Sequence, residues 1–389
     1  MITTINNKHK KLNVPNLRFP EFQGEWEELG LSELLDFKNG LNPKLDKFGK
    51  GIKFISVMDI LNNAVITYDC IKASVDVTEK ELSDFSVEKG DILFQRSSET
   101  LEDVGRANVY MDDKTAVFGG FVIRGKKKGE YDPQYFNYLL RSPFARKRIV
   151  PMGAGAQHFN IGQEGLSKVK LHFANIKEQK KIGKMFSLLD ERIATQNKII
   201  EDLKKLKSAI SENLFKEVKG DVVMLSEICE ISKGKQINGE FLSEKGKYYV
   251  MNGGTEPSGY YNNYNVEANT ISISEGGNSC GYVQFNTSPF WSGGHCYTIQ
   301  EIADNVDNLY LYHFLKSKED AIMKLRIGSG LPNIQKKDLA MFKIKIPTVE
   351  QQKAISTFLS SLERKAEIEE RIQSAMQKEK QYLLRQMFI

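Results

Sequence analysis

Two stretches decide how this chain folds: Ile176-Lys177-Glu178-Gln179-Lys180-Lys181-Ile182 and Val349-Glu350-Gln351-Gln352-Lys353-Ala354-Ile355. They stand 173 residues apart, and the likeness extends at that offset without a gap over 161–215 and 334–388. Ile161/Ile334, Leu166/Leu339, Lys170/Lys343, Gln179/Gln352, Ser187/Ser360, Leu189/Leu362 and Phe215/Phe388 are identities. Asp190/Glu363 and Lys198/Arg371 keep their character. A fainter echo lies upstream, where Leu31-Ser32-Glu33-Leu34 runs on to Gly40 and Leu225-Ser226-Glu227-Ile228 runs on to Gly234. Two units of this length are a duplicated module, not a solenoid of many short repeats.

From each quoted stretch onward the apolar period is three-four. Leu189, Ile193, Gln196, Ile200, Leu203, Lys207, Ile210 and Leu214 follow 4-3 spacing, with Ile182 and Phe186 upstream. That is a coiled-coil seam with two polar interruptions. Ile355, Leu359, Leu362, Ala366, Met376, Leu383 and Met387 sit at related places, with Ile368 and Ile372 as a second stripe. Each segment of about 40 residues makes roughly 60 Å of helix, too long for one small globule to bury. The two helices are therefore expected to pack on each other, antiparallel, with the C-terminus returning to the first globule. The alternative, each helix folded back on its own globule, leaves the seam in need of another partner. The expected seam and partner-facing residues are Ile182, Phe186, Leu189, Ile193, Ile200, Leu203, Ile355, Leu359, Leu362 and Ile372.

Upstream of each helix the pattern is mixed. Ile52–Val57, Asp91–Phe94, Ala116–Phe118 and Phe121–Ile123 read as short strands, and 124–129 as an exposed basic loop. Asp132-Pro133-Gln134-Tyr135 opens a helix, with proline in its first turn. The second globule repeats the grammar with Tyr248–Met251, Thr270–Ser274 and Tyr282–Phe285, then a helix through Leu309–Leu315. The predicted class is α+β: two repeated mixed α/β domains separated by two long helices that form an antiparallel coiled coil with pseudo-two-fold symmetry. The expected boundaries are an N-terminal arm over 1–23, globules over 24–175 and 220–347, and helices over 176–219 and 348–389.

Composition sets wide bounds. The 389 residues are 40% hydrophobic and 27% charged, ordinary for globular domains, and the net charge of +5 permits a polyanionic partner without demanding one. The 4 cysteines form no CxxC pair, which reads as reduced thiols in a cytoplasmic protein. No apolar run reaches the roughly 18 residues of a membrane span.

Catalytic constellations are hard to find. The 5 histidines are scattered, and His295-Cys296 lacks a second ligand pair at zinc spacing. There is no GxxxxGK[ST] phosphate loop. The Asp132-Pro133-Gln134-Tyr135 stretch differs by one letter from an amino-methyltransferase motif, but it opens a helix instead of following a strand. Asp91, Glu99 and Arg96 lack the lysine of a nuclease pattern. No metal site is expected.

Recognition fits better. Gln95, Arg96, Ser97 and Ser98 precede Arg106 in the first globule, and Glu275, Asn278 and Ser279 hold the matching loop of the second. Gln157 and His158 lie before Asn160-Ile161, as Asn333 lies before Ile334. Such loops carry donors and acceptors for base edges and phosphates. Lys44 and Lys53, with Lys126 to Lys128, are candidate phosphate contacts, and Lys233, Lys235, Gln236 and Asn252 complete the candidate DNA-binding set.

In this doubled order the chain resembles the specificity subunit of type I restriction-modification enzymes. The resemblance spans nearly the whole chain. It rests on Asn16-Leu17-Arg18-Phe19-Pro20 with Trp26, and on the globule starts at Leu31 and Leu225. It rests also on Ile273-Ser274-Glu275-Gly276-Gly277-Asn278-Ser279 and on Glu178-Gln179-Lys180 and Gln351-Gln352-Lys353. The resemblance implies target recognition domains that each read one half of a split, asymmetric double-stranded DNA site. It implies spacer helices that fix the gap, and no catalytic centre or bound cofactor in this chain. It implies partnership with two methyltransferase and two restriction subunits, on which S-adenosylmethionine, ATP and Mg2+ are expected. Two other readings stay open: a coiled-coil adaptor joining two protein-binding heads, and a fused DNA methyltransferase or nuclease with degenerate motifs.

Overall fold

The computed structural model describes residues 3–4, 13–328, 330 and 332–389. The expected arm over 1–23 thus lies partly outside the described residues, as do Ser329 and Leu331 of the second glycine-rich passage. The chain divides into two compact units, Met1–Asn197 with Ile372–Ile389, and Lys198–Arg371. The last turns of the C-terminal helix therefore belong with the first globule.

In the first unit an antiparallel sheet has the order Ala107–Val109, Ile92–Gln95, Val122–Lys127, Leu35–Asn39. A second sheet runs Ser74–Val75, Phe48–Ile55, Ala116–Phe118, Ser86–Val87, its middle pair parallel. The second unit repeats the first sheet as Val283–Asn286, Thr270–Ser274, Cys296–Gln300, Glu230–Lys233. It repeats the parallel pair as Tyr248–Met251 beside Trp291–Ser292. Ile92, Leu93 and Phe94 are all fully buried, because elements cover both faces of their strand, so they read as a continuous apolar run and not an alternation.

Helix starts follow local chemistry. The Asp132 carboxylate accepts the Tyr135 N–H at 2.9 Å, and Asp307 accepts that of Tyr310 at 2.7 Å. Each thereby satisfies an amide that the first helical turn leaves open. Two long helices run Ile176–Glu217 and Val349–Gln386. Near the start of each, a buried glutamine ties the helix to the preceding globule. Gln179 accepts from Asp132 N at 2.9 Å and donates to Ala174 O at 2.8 Å. Gln352 accepts from Asp307 N at 2.7 Å and donates to Asn305 O at 3.0 Å and Pro347 O at 2.9 Å.

Within each unit the two helical segments are antiparallel. In the first, the Phe186 ring lies 5.8 Å from that of Phe388, tilted against it, while Asp190, one turn on, pairs with Lys380, two turns back. Phe388 also meets Trp26 at 6.3 Å and Tyr135 at 5.6 Å, which seals the C-terminus into the first core. In the second, Lys204 pairs with Glu370 at 2.6 Å and Lys207 with Glu363 at 2.7 Å. The pairs Asp190–Lys380 and Lys207–Glu363 exchange under the 173-residue offset. Each acid also takes a tyrosine hydroxyl from its own globule, Tyr138 at 2.8 Å and Tyr312 at 3.1 Å.

Leu189, Ile193, Gln196, Ile200, Leu203, Lys207, Ile210 and Leu214 are all partly or fully buried, as the 4-3 spacing requires. Ile372 lies outside the helix seam, in the second stripe. It is 40% exposed, beside Ile368 at 46%, because the inward phase at that level falls on Glu369 and Gln373.

The basic loop expected over 124–129 is corrected. Arg124 to Lys127 continue a strand paired along Leu35–Asn39. Gly125 permits this close pairing, since a Cβ there would stand 2.8 Å from Leu35 Cδ1. Arg124 is buried and donates to Ser86 O, while Lys126 and Lys128 pair with Glu88 and Asp36. Among the described residues no helix is long and apolar enough to cross a membrane.

Candidate nucleic-acid interface

The two globules can be superposed bond by bond at one end of the main sheet. Gln95 N donates to Arg106 O and Gly105 N to Gln95 O; Ser274 N donates to Tyr282 O and Gly281 N to Ser274 O. One residue on, Arg96 N donates to Phe121 O and its carbonyl accepts from Ile161 N, both at 2.9 Å. Glu275 N donates to His295 O at 2.9 Å and its carbonyl accepts from Ile334 N at 2.8 Å. Arg96 and Glu275 therefore occupy the same place.

A glycine pair anchors this end. Gly119 N donates to Ile55 O, and Gly293 N to Met251 O. The chain start of each sheet passes so close that a Cβ on Gly40 would lie 2.0 Å from Gly119 O, and one on Gly234 2.2 Å from Gly293 O. Gly120 and Gly294 lie equally close to the Asn42 and Gln236 amides, at 1.9 and 2.4 Å from a built Cβ. Only glycine fits the two backbone approaches, whereas the Asn42 and Gln236 amides are side-chain ends that can move aside. Directly after the pair each globule exposes a ring, Phe121 at 69% and His295 at 62%.

Around these positions the side chains differ. The first globule sets Asn39, Asn42, Ser56, Arg96 and Phe121 where the second has Lys233, Gln236, Asn252, Glu275 and His295. Glu275 is 7% exposed and its Oε1 receives Lys233 Nζ at 2.6 Å and the Tyr297 hydroxyl at 3.1 Å. Burial, and then the Glu275 carboxylate, push Tyr297 up to about 12, so it stays a hydrogen-bond donor. Asn252 Oδ1 accepts the His295 N–H at 3.1 Å and orients that turn. Burial pushes the Cys296 thiol up to about 11, which keeps the one His-Cys neighbour pair unreactive. Among the described residues no group of three or more His, Cys, Asp or Glu is placed to hold a metal ion.

The remaining sequence-chosen residues divide. Ser97 and Ser98 pair as a strand with Asn160 and Phe159, and Ser97 Oγ donates to the Asn160 side chain. Asn333 bridges to Gly276 in the matching way. Gln157 and His158 are exposed at the tip closed by the Ala154–Asn160 bridge, and Asn278 is exposed with Ser279 half-buried beside it. Lys235 is exposed, and its carbonyl accepts the Trp291 indole N–H at 2.9 Å. Gln95 is 5% exposed, and its Nε2 donates to Ser97 O at 2.9 Å. Arg106 pairs with Asp103 at 2.6 Å. Lys44 is exposed just before the turn Leu45–Lys47, two residues after Asn42. Lys53 Nζ donates to Ile71 O at 2.6 Å, which spends one of its protons on the fold.

Sequence reasoning missed Asn39, Asn42, Ser56, Phe121, Asn160 and His295. The doublets Gly119-Gly120 and Gly293-Gly294 were the available signal for Phe121 and His295, which directly follow them; the other pairs stand at different offsets, and the sheet hydrogen bonds equate them.

Known proteins agree with this architecture. The sequence pattern of the type I restriction modification DNA specificity domain matches residues 23–205 and again 217–378. A Methanocaldococcus jannaschii protein, provisionally named the MjaX specificity subunit of a type I restriction enzyme, is 25% identical over 97% of this chain and 96% of its own. The type I restriction enzyme MjaVIII specificity subunit of the same organism is 23% identical over 95% and 92%. The crystal structure of the type I restriction-modification S subunit from M. genitalium superposes with a TM-score of 0.65. It covers 97% of this chain and 99% of that one at 20% identity, a likeness of fold.

Proposed function

The chain belongs to the type I restriction-modification DNA specificity family, and from that membership we propose that each globule reads one half of a split, asymmetric DNA site. The role of that family is specificity, not catalysis. One observation carries the two-reader proposal. The globules share their backbone hydrogen bonds position by position, yet Asn42/Gln236, Arg96/Glu275 and Phe121/His295 differ on that common frame. A duplicated frame with exchanged polar side chains suits two targets of one chemical kind, since base edges differ only in their donor and acceptor pattern.

The long helices hold the gap between half-sites and present matched faces to methyltransferase and restriction subunits. Those partners work in the cytoplasm and carry S-adenosylmethionine, ATP and Mg2+. Phosphate contacts supply affinity without sequence preference, so binding weakens as salt rises.

The test is methylome sequencing of cells with and without this gene. A split adenine-methylation motif that disappears with the gene supports the reading. A methylome that is unchanged, or methyl transfer by the purified chain without any partner, refutes it.

A further inference from the structure

The position shared by Arg96 and Glu275 carries opposite chemistry in an identical backbone setting. In both globules its N–H is held by the residue after the glycine pair, and its carbonyl by the isoleucine of the Asn-Ile passage. Pinned on both sides, the backbone gives the same anchor, and only the side chain varies.

Each side chain has spare capacity of one kind. Among the described residues the Arg96 side chain makes one long hydrogen bond, Nη1 to Gly120 O at 3.3 Å, and a guanidinium has five donors and no acceptor. Glu275 offers acceptors only. Its Oε1 is used by Lys233 and Tyr297; among the described residues its buried Oε2 has no hydrogen-bond partner, only a long ion-pair contact with His295 Nδ1 at 3.6 Å. A buried carboxylate oxygen left open is costly unless a donor completes it. The neighbours follow the charge: Lys233 balances Glu275, whereas neutral Asn39 occupies that place in the Arg96 globule.

We propose that Arg96 and Glu275 are the matched specificity-determining position of the two readers, Arg96 selecting guanine in one half-site and Glu275 selecting cytosine in the other. This rests on the reading above. Guanine presents O6 and N7, two acceptors that a guanidinium fork matches. Cytosine presents the N4 amino donor that the open Oε2 lacks. Adenine also has an amino group, but its N7 acceptor faces a carboxylate unfavourably, and guanine repels it with two acceptors. Phe121 and His295, exposed beside the position, supply apolar or stacking contact next to that base pair.

The experiment is the same methylome measurement with Arg96→Gln and Glu275→Gln expressed with the native methyltransferase partner. Arg96→Gln shifts one position of one half-site from guanine toward adenine, because a glutamine amide matches N6 and N7. Glu275→Gln removes the cytosine preference at one position of the other half-site. Each change relaxes discrimination by roughly ten- to hundredfold. The gap and the opposite half stay unchanged.

A motif unaltered at every position with either variant overturns the proposal, as does a change in both halves from one substitution. If Glu275→Gln lowers the melting temperature enough to abolish methylation, Arg96→Gln decides alone, since that side chain is half-buried and loses only one long bond. Loss of the wild-type motif's dependence on the gene would instead sink the two-reader function itself, so the two failures are distinguishable.

Discussion

Replacing Gln352 with leucine isolates the join between the second globule and its helix. The side chain is 0% exposed and makes three hydrogen bonds, with Asp307 N, Asn305 O and Pro347 O. Leucine nearly conserves the volume but leaves one amide and two carbonyls without that partner. A stranded buried group costs about 1–3 kcal/mol, carbonyls at the lower end, and the added apolar contact returns part of it. The expected loss is about 3 kcal/mol. For a unit of this size that corresponds to a fall of roughly 6–12 °C in the unfolding midpoint.

The assay is hydrogen exchange by mass spectrometry alongside thermal unfolding, because two units need not melt as one. Protection should fall within Lys198–Arg371, first at 305–307 and at the start of Val349–Gln386. Gln179→Leu is the matched control. It strands Asp132 N and Ala174 O, so its loss is smaller, about 2 kcal/mol, and falls within the first unit. Neither variant touches the proposed reading face, so the methylation motif should keep its letters. A loss below about 1 kcal/mol for Gln352→Leu, or equal exchange changes in both units, would refute the reasoning.

Other expectations concern specificity, spacing and pH. Exchanging residues 24–160 for the corresponding globule of another family member should alter one half of the motif and leave the gap; changes in both halves would argue against separate readers. One heptad inserted in register into both long helices adds roughly 10 Å, or about three base-pair steps, to the gap, and an unchanged gap would dismiss the helices as its ruler. Burial, the main cause, lowers the His313 pKa to about 4, with its Nε2 2.9 Å from Ser360 Oγ. The unfolded chain therefore takes up this proton first. The stability is fully present above about pH 6.5 and is lost as pH falls toward 4, by about 3 kcal/mol in all. His313→Gln should flatten that part of the stability-pH curve in chemical denaturation; an unchanged slope would contradict it.

Much of the scaffold was legible because repetition and periodicity are local properties. Asp132 and Asp307 announce helix starts through a bond to a residue three positions on. The 4-3 seam needs nothing beyond side-chain spacing, and the second stripe of Ile368 and Ile372 lies exposed outside it. Long-range pairing misled the reading of Arg124 to Lys127, whose charges looked solvent-bound but whose backbone was claimed by a strand about 90 residues upstream in the chain. Likewise Lys53 looked free for a phosphate until the fold brought the Ile71 carbonyl to it.

By itself the sequence determined that there are two copies of one module, each a globule followed by a long helix, since identity at a fixed offset requires no coordinates. Only the tertiary structure decided which residues of the copies correspond at the reading end. Arg96 and Glu275 share no letter and no flanking pattern; they are equated by hydrogen bonds to Phe121, Ile161, His295 and Ile334, residues 20 to 65 positions away. Base-reading chemistry depends on that spatial equivalence, because a sheet end gathers side chains from strands that the chain visits at different times.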